Sequence, residues 1–191
     1  MTQQILLNFA PALLLIASAS CDANSQAGKQ KNGGGTVRSA TLTKLSLTSG
    51  AFANGAPIPA QYTCDGSGRS PGLRWSDPPP GTKSFALVIE DPDAPDGMFR
   101  HWGLYDIPAS ARSIEPGQRI GNEVTNDFGT PGYGAPCPPK GHGLHHYHFR
   151  LFALVTDRLN LVPNAKVIDV ERKAQSQAIA EGDLIGTYER N

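Results

Sequence analysis

Three things are scarce in this 191-residue sequence: surplus charge of either sign, long apolar runs, and cysteine. Its 17 basic side chains balance 17 acidic ones, for a formal net charge of zero. A protein whose main partner is nucleic acid needs a basic face to neutralise phosphates, so the balance argues against that class. It leaves room for one small anion, which needs only a few local donors. No apolar run reaches the roughly 20 residues a helix needs to cross a bilayer. The sequence also lacks an H-E-x-x-H or Cys-x-x-Cys spacing for a metal, a G-x-S-x-G elbow for a nucleophilic serine, and any internal repeat. Glycine and proline are plentiful instead, 21 and 16 residues. Such usage predicts short strands joined by structured turns.

The N-terminus reads as an export signal. Ile5 to Ala19 is almost wholly apolar, interrupted by Asn8 and Pro11. That is too short to span a membrane but fits the apolar region of a secretory signal. Ser18-Ala19-Ser20 and then Cys21 follow, similar to the lipobox of bacterial lipoproteins, in which the cysteine carries the lipid. An ordinary cleaved signal and a buried apolar segment are the alternatives. The reading taken is a signal over residues 1–20 with Cys21 lipidated, a flexible linker over 22–40, and a single domain over 41–191. The linker is Gly-, Ser-, Gln- and Lys-rich, too polar to bury the surface that ordering requires. The chain is thus expected to be exported and membrane-anchored only through its lipid, facing the periplasm or the cell exterior. With Cys21 set aside, Cys64 and Cys137 remain as either a disulfide or two separate thiols.

Within the domain, Leu45 and Leu47 alternate with polar residues, as a strand does. Phe85 to Ile89 is a short continuous apolar run bounded by Gly81 and Pro92, which favours a buried central strand. His101 to Ile107 and His148 to Val155 read as further strands. Val167, Val170, Ala174, Ala178 and Ile179 recur at helical spacing, which predicts a helix over 167–181 stopped by Gly182. A last strand is expected over 184–188. Strands dominate, so the fold class is mostly β with minor α.

Polar residues that could do chemistry collect in two places. Asp91 and Asp93 follow the apolar strand in a loop stiffened by Pro92 and Pro95, and a loop held by prolines keeps its shape. His101 opens the next strand. The segment 141–148 adds His142, His145, His146 and His148. Strand alternation puts His145 and Tyr147 on one face and His146 and His148 on the other. Residues on opposite faces cannot share one ion, so no metal and no cofactor are expected. Cys137 beside the histidines could be a nucleophile, but Pro138 and Pro139 offer no backbone donor after the sulfur. No catalytic residue is assigned.

The ordered blocks Tyr62-Thr63-Cys64-Asp65-Gly66, Ser70-Pro71-Gly72-Leu73-Arg74-Trp75, Asp91-Pro92-Asp93-Ala94-Pro95, His101-Trp102, Asn126-Asp127-Phe128-Gly129, Tyr133-Gly134 and Pro136-Cys137-Pro138-Pro139-Lys140-Gly141 resemble the phosphatidylethanolamine-binding protein family, in its bacterial Raf kinase inhibitor-like branch. The resemblance spans about 45–190. It implies a large antiparallel sheet packed on a smaller one, a C-terminal helix, and a surface cavity for phosphate, acetate or a phosphoethanolamine head group. By correspondence, Asp91, Asp93, His101, Cys137, Pro138, Pro139, His145 and Tyr147 are the implied ligand-binding residues. His146 stands where the family has an arginine. A cis bond is implied at Asp91-Pro92. The expected mechanism has His101 and His145 donating to the anion while Asp91 fixes an imidazole tautomer, with binding weakening as pH rises through about 6.5. Inhibition of an unidentified kinase or protease, with the pocket as a ligand-controlled docking site, is the competing function.

Overall fold

The computed structural model describes residues 42–191. The expectations for residues 1–40, including the signal and Cys21, lie outside that range.

β5 (Ser84–Asp91) is the spine of the domain, and all eight of its residues are buried. Phe85, Leu87 and Ile89 enter one core, while Ala86 and Val88 enter another on the opposite face. Burial on both faces is why this strand reads as an unbroken apolar run rather than an alternation. β5 pairs antiparallel with β6 (Phe99–Pro108) on one side and β9 (His145–Leu154) on the other. Beyond β9 lies β10 (Ala178–Tyr188), and beyond β6 the two-residue β8 (Asn122–Glu123). β1 (Thr43–Lys44) and β3 (Ala56–Pro57) both add to β10, in parallel. The large sheet of seven strands is therefore mixed, not purely antiparallel as expected. The two short segments that make it so lie along one edge of a sheet whose remaining pairs are antiparallel.

A second sheet of three strands, β2 (Ser46–Ser49), β4 (Leu73–Ser76) and β7 (Ser113–Ile114), supplies Leu47, Leu73, Trp75 and Ile114 to the first core. The other face of the large sheet is covered by α1 (Val167–Gln177), whose Val167, Val170 and Ala174 pack with Ala86, Val88 and Phe152. The helix stops four residues earlier than its periodicity predicts. Ala178 is extended and pairs with Leu154, so the sheet takes the chain over where the apolar spacing would have continued the helix. Pairing into a sheet overrides the weak local preference for helix. The last strand accordingly starts at Ala178 rather than Leu184. β9 likewise starts at His145, three residues before its expected start, because its first inward positions carry polar groups that hide the alternation.

Candidate functional site

The site gathers at the end of β5. Asp91 is its last residue, and the carboxylate is buried and fully engaged. Its Oδ1 accepts from the Asp93 backbone N–H at 2.9 Å, and its Oδ2 accepts from His145 Nδ1 at 2.7 Å. The first bond closes the proline-rich corner. The Asp91–Pro92 bond is trans, since no peptide bond among the described residues is cis, which corrects the implied cis bond. Trans is the ordinary preference even before proline, and the side-chain bond to Asp93 makes the turn without the other isomer.

His101 reaches the same place through a bulge. Ile89 pairs with Trp102 and Glu90 with Arg100, which leaves His101 as the extra residue of β6. Bulges re-aim a side chain out of regular alternation. His101 Nδ1 donates to the Gly134 carbonyl at 2.8 Å, and Gly134 N–H donates back to the His101 carbonyl at 2.8 Å. This pair fixes the tautomer, because a carbonyl only accepts. Burial holds the His101 imidazole below its usual range, against the opposing pull of the Gly134 hydrogen bond and the Asp91 charge. The ring is therefore neutral near pH 7, and Nε2 presents a lone pair.

Tyr147 follows His145 by two residues on the same buried face of β9. Its hydroxyl is buried and, among the described residues, lies within full hydrogen-bond distance of none; the nearby Asp91 carboxylate acts on it from farther away, its two oxygens already accepting from Asp93 and His145. Burial first, and the Asp91 carboxylate second, push the phenol well above its ordinary value, so it stays a donor. The His101 ring meets Tyr147 edge-on at 5.2 Å and Phe128 at 5.4 Å, and Phe99 meets Phe128 at 4.7 Å. Together with Cys137, Pro138 and Pro139, these groups enclose a hollow of about 240 Å³. The wall is tied by a disulfide between Cys64 and Cys137, which settles the alternative left open by the sequence. Cys64 N–H also donates to the Pro136 carbonyl at 3.0 Å.

Two expectations are corrected by this geometry. Asp93 does not line the hollow. It is exposed and turned to His146, accepting from that residue's backbone N–H at 2.8 Å and its Nδ1 at 2.7 Å. Although partial burial works against it, these bonds hold the Asp93 carboxyl below its usual range. The physical reason is alternation: His146 faces away from His145, and Asp93 follows it. The second correction concerns His145, which lines the hollow but has no nitrogen to offer. Asp91 holds Nδ1, and Nε2 lies 2.8 Å from His142 Nδ1. Asp91 does fix a tautomer, that of His145.

Gly134, whose carbonyl holds His101, and Phe128 and Met98, which line the hollow, are parts of the site that residue types alone do not mark. Gly134 and Phe128 sit inside the ordered blocks, but nothing in residue type marks a carbonyl or a ring as a wall. The lining carries two acids, Asp91 and Asp96, and neither lysine nor arginine. Apart from the exposed Asp96 carboxylate, the polar side-chain groups of the lining left open are one donor, the Tyr147 hydroxyl, and one acceptor, His101 Nε2. Among the described residues no group of three or more His, Cys, Asp or Glu is placed to hold a metal ion. A wider groove of about 310 Å³ beside α1, lined by Asn160, Val162, Asp169, Arg172 and Lys173, has no comparable convergence of buried polar groups.

Comparison with known proteins agrees with this picture. The family model described as phosphatidylethanolamine-binding protein matches residues 48–189. A UPF0098 protein of Aquifex aeolicus is 46% identical over 153 residues, covering 77% of this chain and 90% of its own length. LppC of Mycobacterium tuberculosis, named as a candidate lipoprotein, is 40% identical over 147 residues, covering 76% of this chain and 72% of its own. Among solved structures, E. coli YbcL, described as a member of the mammalian PEBP family, superposes with a TM-score of 0.73 at 32% identity, covering 78% of this chain and 100% of that one.

Proposed function

The chain belongs to the phosphatidylethanolamine-binding protein family, and from that premise we propose that it is an exported binding protein whose hollow takes a small phosphate-like anion, free or as a phosphoethanolamine head group. The observation that carries this reading is the buried, unpartnered Tyr147 hydroxyl beside the free Nε2 of His101. A buried donor without a partner is costly, and a ligand oxygen would satisfy it. A neutral Nε2 accepts rather than donates. A phosphate monoanion presents both P–O⁻ and P–OH, matching one donor and one acceptor. With a dianion, His101 must first take up a proton. The N-terminal signal and the likeness to LppC support export with a lipid on Cys21. Metabolic labelling with a fatty acid, lost in Cys21→Ser, tests that part; labelling that persists in the variant contradicts it.

Calorimetric titration of inorganic phosphate and phosphoethanolamine into the protein and its Tyr147→Phe variant tests the pocket. A hydrogen bond to a charged partner is worth about 1.5–3 kcal/mol, so the variant should bind roughly ten- to a hundred-fold more weakly. Equal affinities would remove the hydroxyl, and with it this reading.

A second reading, ligand-controlled docking of a protein partner, is favoured by the rim. Met98 and Phe128 line the hollow yet are 44% and 51% exposed, and Leu144, next to His145, is 50% exposed. Apolar groups clustered at a mouth are a feature of contact surfaces. A Met98→Ser/Phe128→Ser variant that keeps phosphate affinity but loses a co-purifying partner would favour docking. A variant that behaves as the wild type in both respects would exclude it.

A further inference from the structure

We propose that His142 and His145 form a two-imidazole site for a divalent transition ion of the zinc type. The inference does not rest on anion binding in the hollow. It starts from the approach of two imidazole nitrogens, His142 Nδ1 and His145 Nε2, 2.8 Å apart with ring planes at 60°. The Asp91 carboxylate keeps hydrogen on His145 Nδ1, so His145 Nε2 carries a lone pair and points it at His142. In the ion-free protein His142 Nδ1–H donates into that lone pair.

An ion can take the place of this hydrogen. His142 then carries its hydrogen on Nε2, the exchange passing through solvent, and both nitrogens facing the gap become ligands. No net proton is gained or lost by the neutral pair. Zinc holds imidazole nitrogen at about 2.0–2.1 Å, which in tetrahedral geometry separates two ligand nitrogens by about 3.3 Å. Because His145 is fixed, with its side chain 1% exposed, and aims its lone pair at His142, the His142 nitrogen must swing off the present line by roughly 2 Å to complete the tetrahedral angle. His142 is exposed and lies between Gly141 and Gly143, at φ +73° and +97°, where an added Cβ would meet nothing within 4 Å. The movable ligand is thus the one on the open loop.

The same Asp91–His145 pair also gives the ligand its support. A ligating histidine commonly gives its other N–H to a carboxylate, which fixes the ring and raises its basicity. Here that carboxylate is buried and already in place. With two protein ligands, the remaining coordination positions fall to water or other oxygen donors. Imidazole nitrogen favours zinc, copper and nickel over magnesium or calcium.

The test is calorimetric titration of zinc chloride into the full chain in phosphate-free buffer, alongside imidazole ¹⁵N resonances. One equivalent should bind, and the resonances of His142 and His145 should both shift. His142→Ala, an exchange on the exposed loop that spares the core, should abolish this equivalent or weaken it at least tenfold. Asp91→Asn should weaken it by roughly 10–100-fold, the usual effect of losing such a carboxylate. His148→Ala, at a histidine paired with Asp183 elsewhere on the sheet, should bind zinc as the parent does. Zinc affinity unaffected by His142→Ala, or no zinc binding by the parent, would overturn the proposal. Because His142→Ala leaves the Tyr147 hydroxyl and His101 Nε2 in place, titrating phosphate into that variant separates failure here from failure of the pocket reading.

Discussion

On the proposed reading, Tyr147 and His101 divide the work of the hollow between a donor and an acceptor. Tyr147 is the cleaner case, because its hydroxyl makes no full hydrogen bond among the described residues and feels only the neighbouring Asp91 carboxylate. Tyr147→Phe should therefore leave the thermal midpoint unchanged or raised while it weakens phosphate; a clear loss of stability would show a hydrogen-bond partner that the ligand-free structure lacks. That both residues share a hollow with Asp91 and His145 is legible in part, since β alternation puts positions 145 and 147 on one face. The state of each group is not legible there. That His101 sits in a bulge, that Gly134 fixes its tautomer, and that His142 occupies His145 are consequences of tertiary approach, invisible in residue order. Asp93 was misplaced for the same reason: a short acidic loop does not say which carboxylate turns inward.

At the scale of elements, β5 and its neighbours hold the site on one face and an ionic network on the other. Arg150 of β9 donates to Glu90 of β5 at 3.0 Å, to Glu171 of α1 at 3.3 Å and to Glu181 of β10 at 2.8 Å, and Arg100 of β6 also pairs with Glu171. Glu90 is buried, and its Oε2 has no partner. Burial first, and then the Glu171 charge, raise its carboxyl above the ordinary 4.5. A raised value means that the folded state holds this proton more tightly than the unfolded one. Its stabilising contribution is present at low pH and is lost as pH rises through the folded value. Glu90→Gln removes the titration but keeps a polar side chain. Whatever its offset at about pH 4, below the ordinary carboxyl value, the variant should gain thermal stability relative to the parent as pH rises above 4.5. A constant difference across that range would contradict the assignment. The elements themselves were legible where one physical signal dominated, as in the apolar β5. Their ends were not: α1 yields to sheet pairing at Ala178, and β9 begins on imidazoles that periodicity does not count.

On the scale of the whole molecule, the Cys64–Cys137 disulfide joins the segment after the Ala60–Tyr62 turn to the wall of the hollow across 73 residues. Cross-linking a loop of that length is worth about 4 kcal/mol on the chain-entropy account. Cys64→Ser/Cys137→Ser should lose a stability of that order and also bind phosphate more weakly, because Pro138 and Pro139 lose their tether. Unchanged affinity in a folded double variant would show that the wall is held by its other contacts. The central claim is that an oxyanion sits between the Tyr147 hydroxyl and a His101 that accepts unless protonated. It is tested most directly by titrating phosphoethanolamine near pH 7.5 in buffers of different ionisation enthalpy, which reads protons taken up on binding. Here the ligand phosphate is mostly dianionic, with a second pKa of about 6, and His101 is neutral because burial depresses it. The account predicts net uptake approaching about one proton, and affinity that climbs as pH falls from about 7.5 toward the second phosphate pKa of about 6 and levels off below it. Binding without proton uptake and with an affinity independent of pH would contradict it.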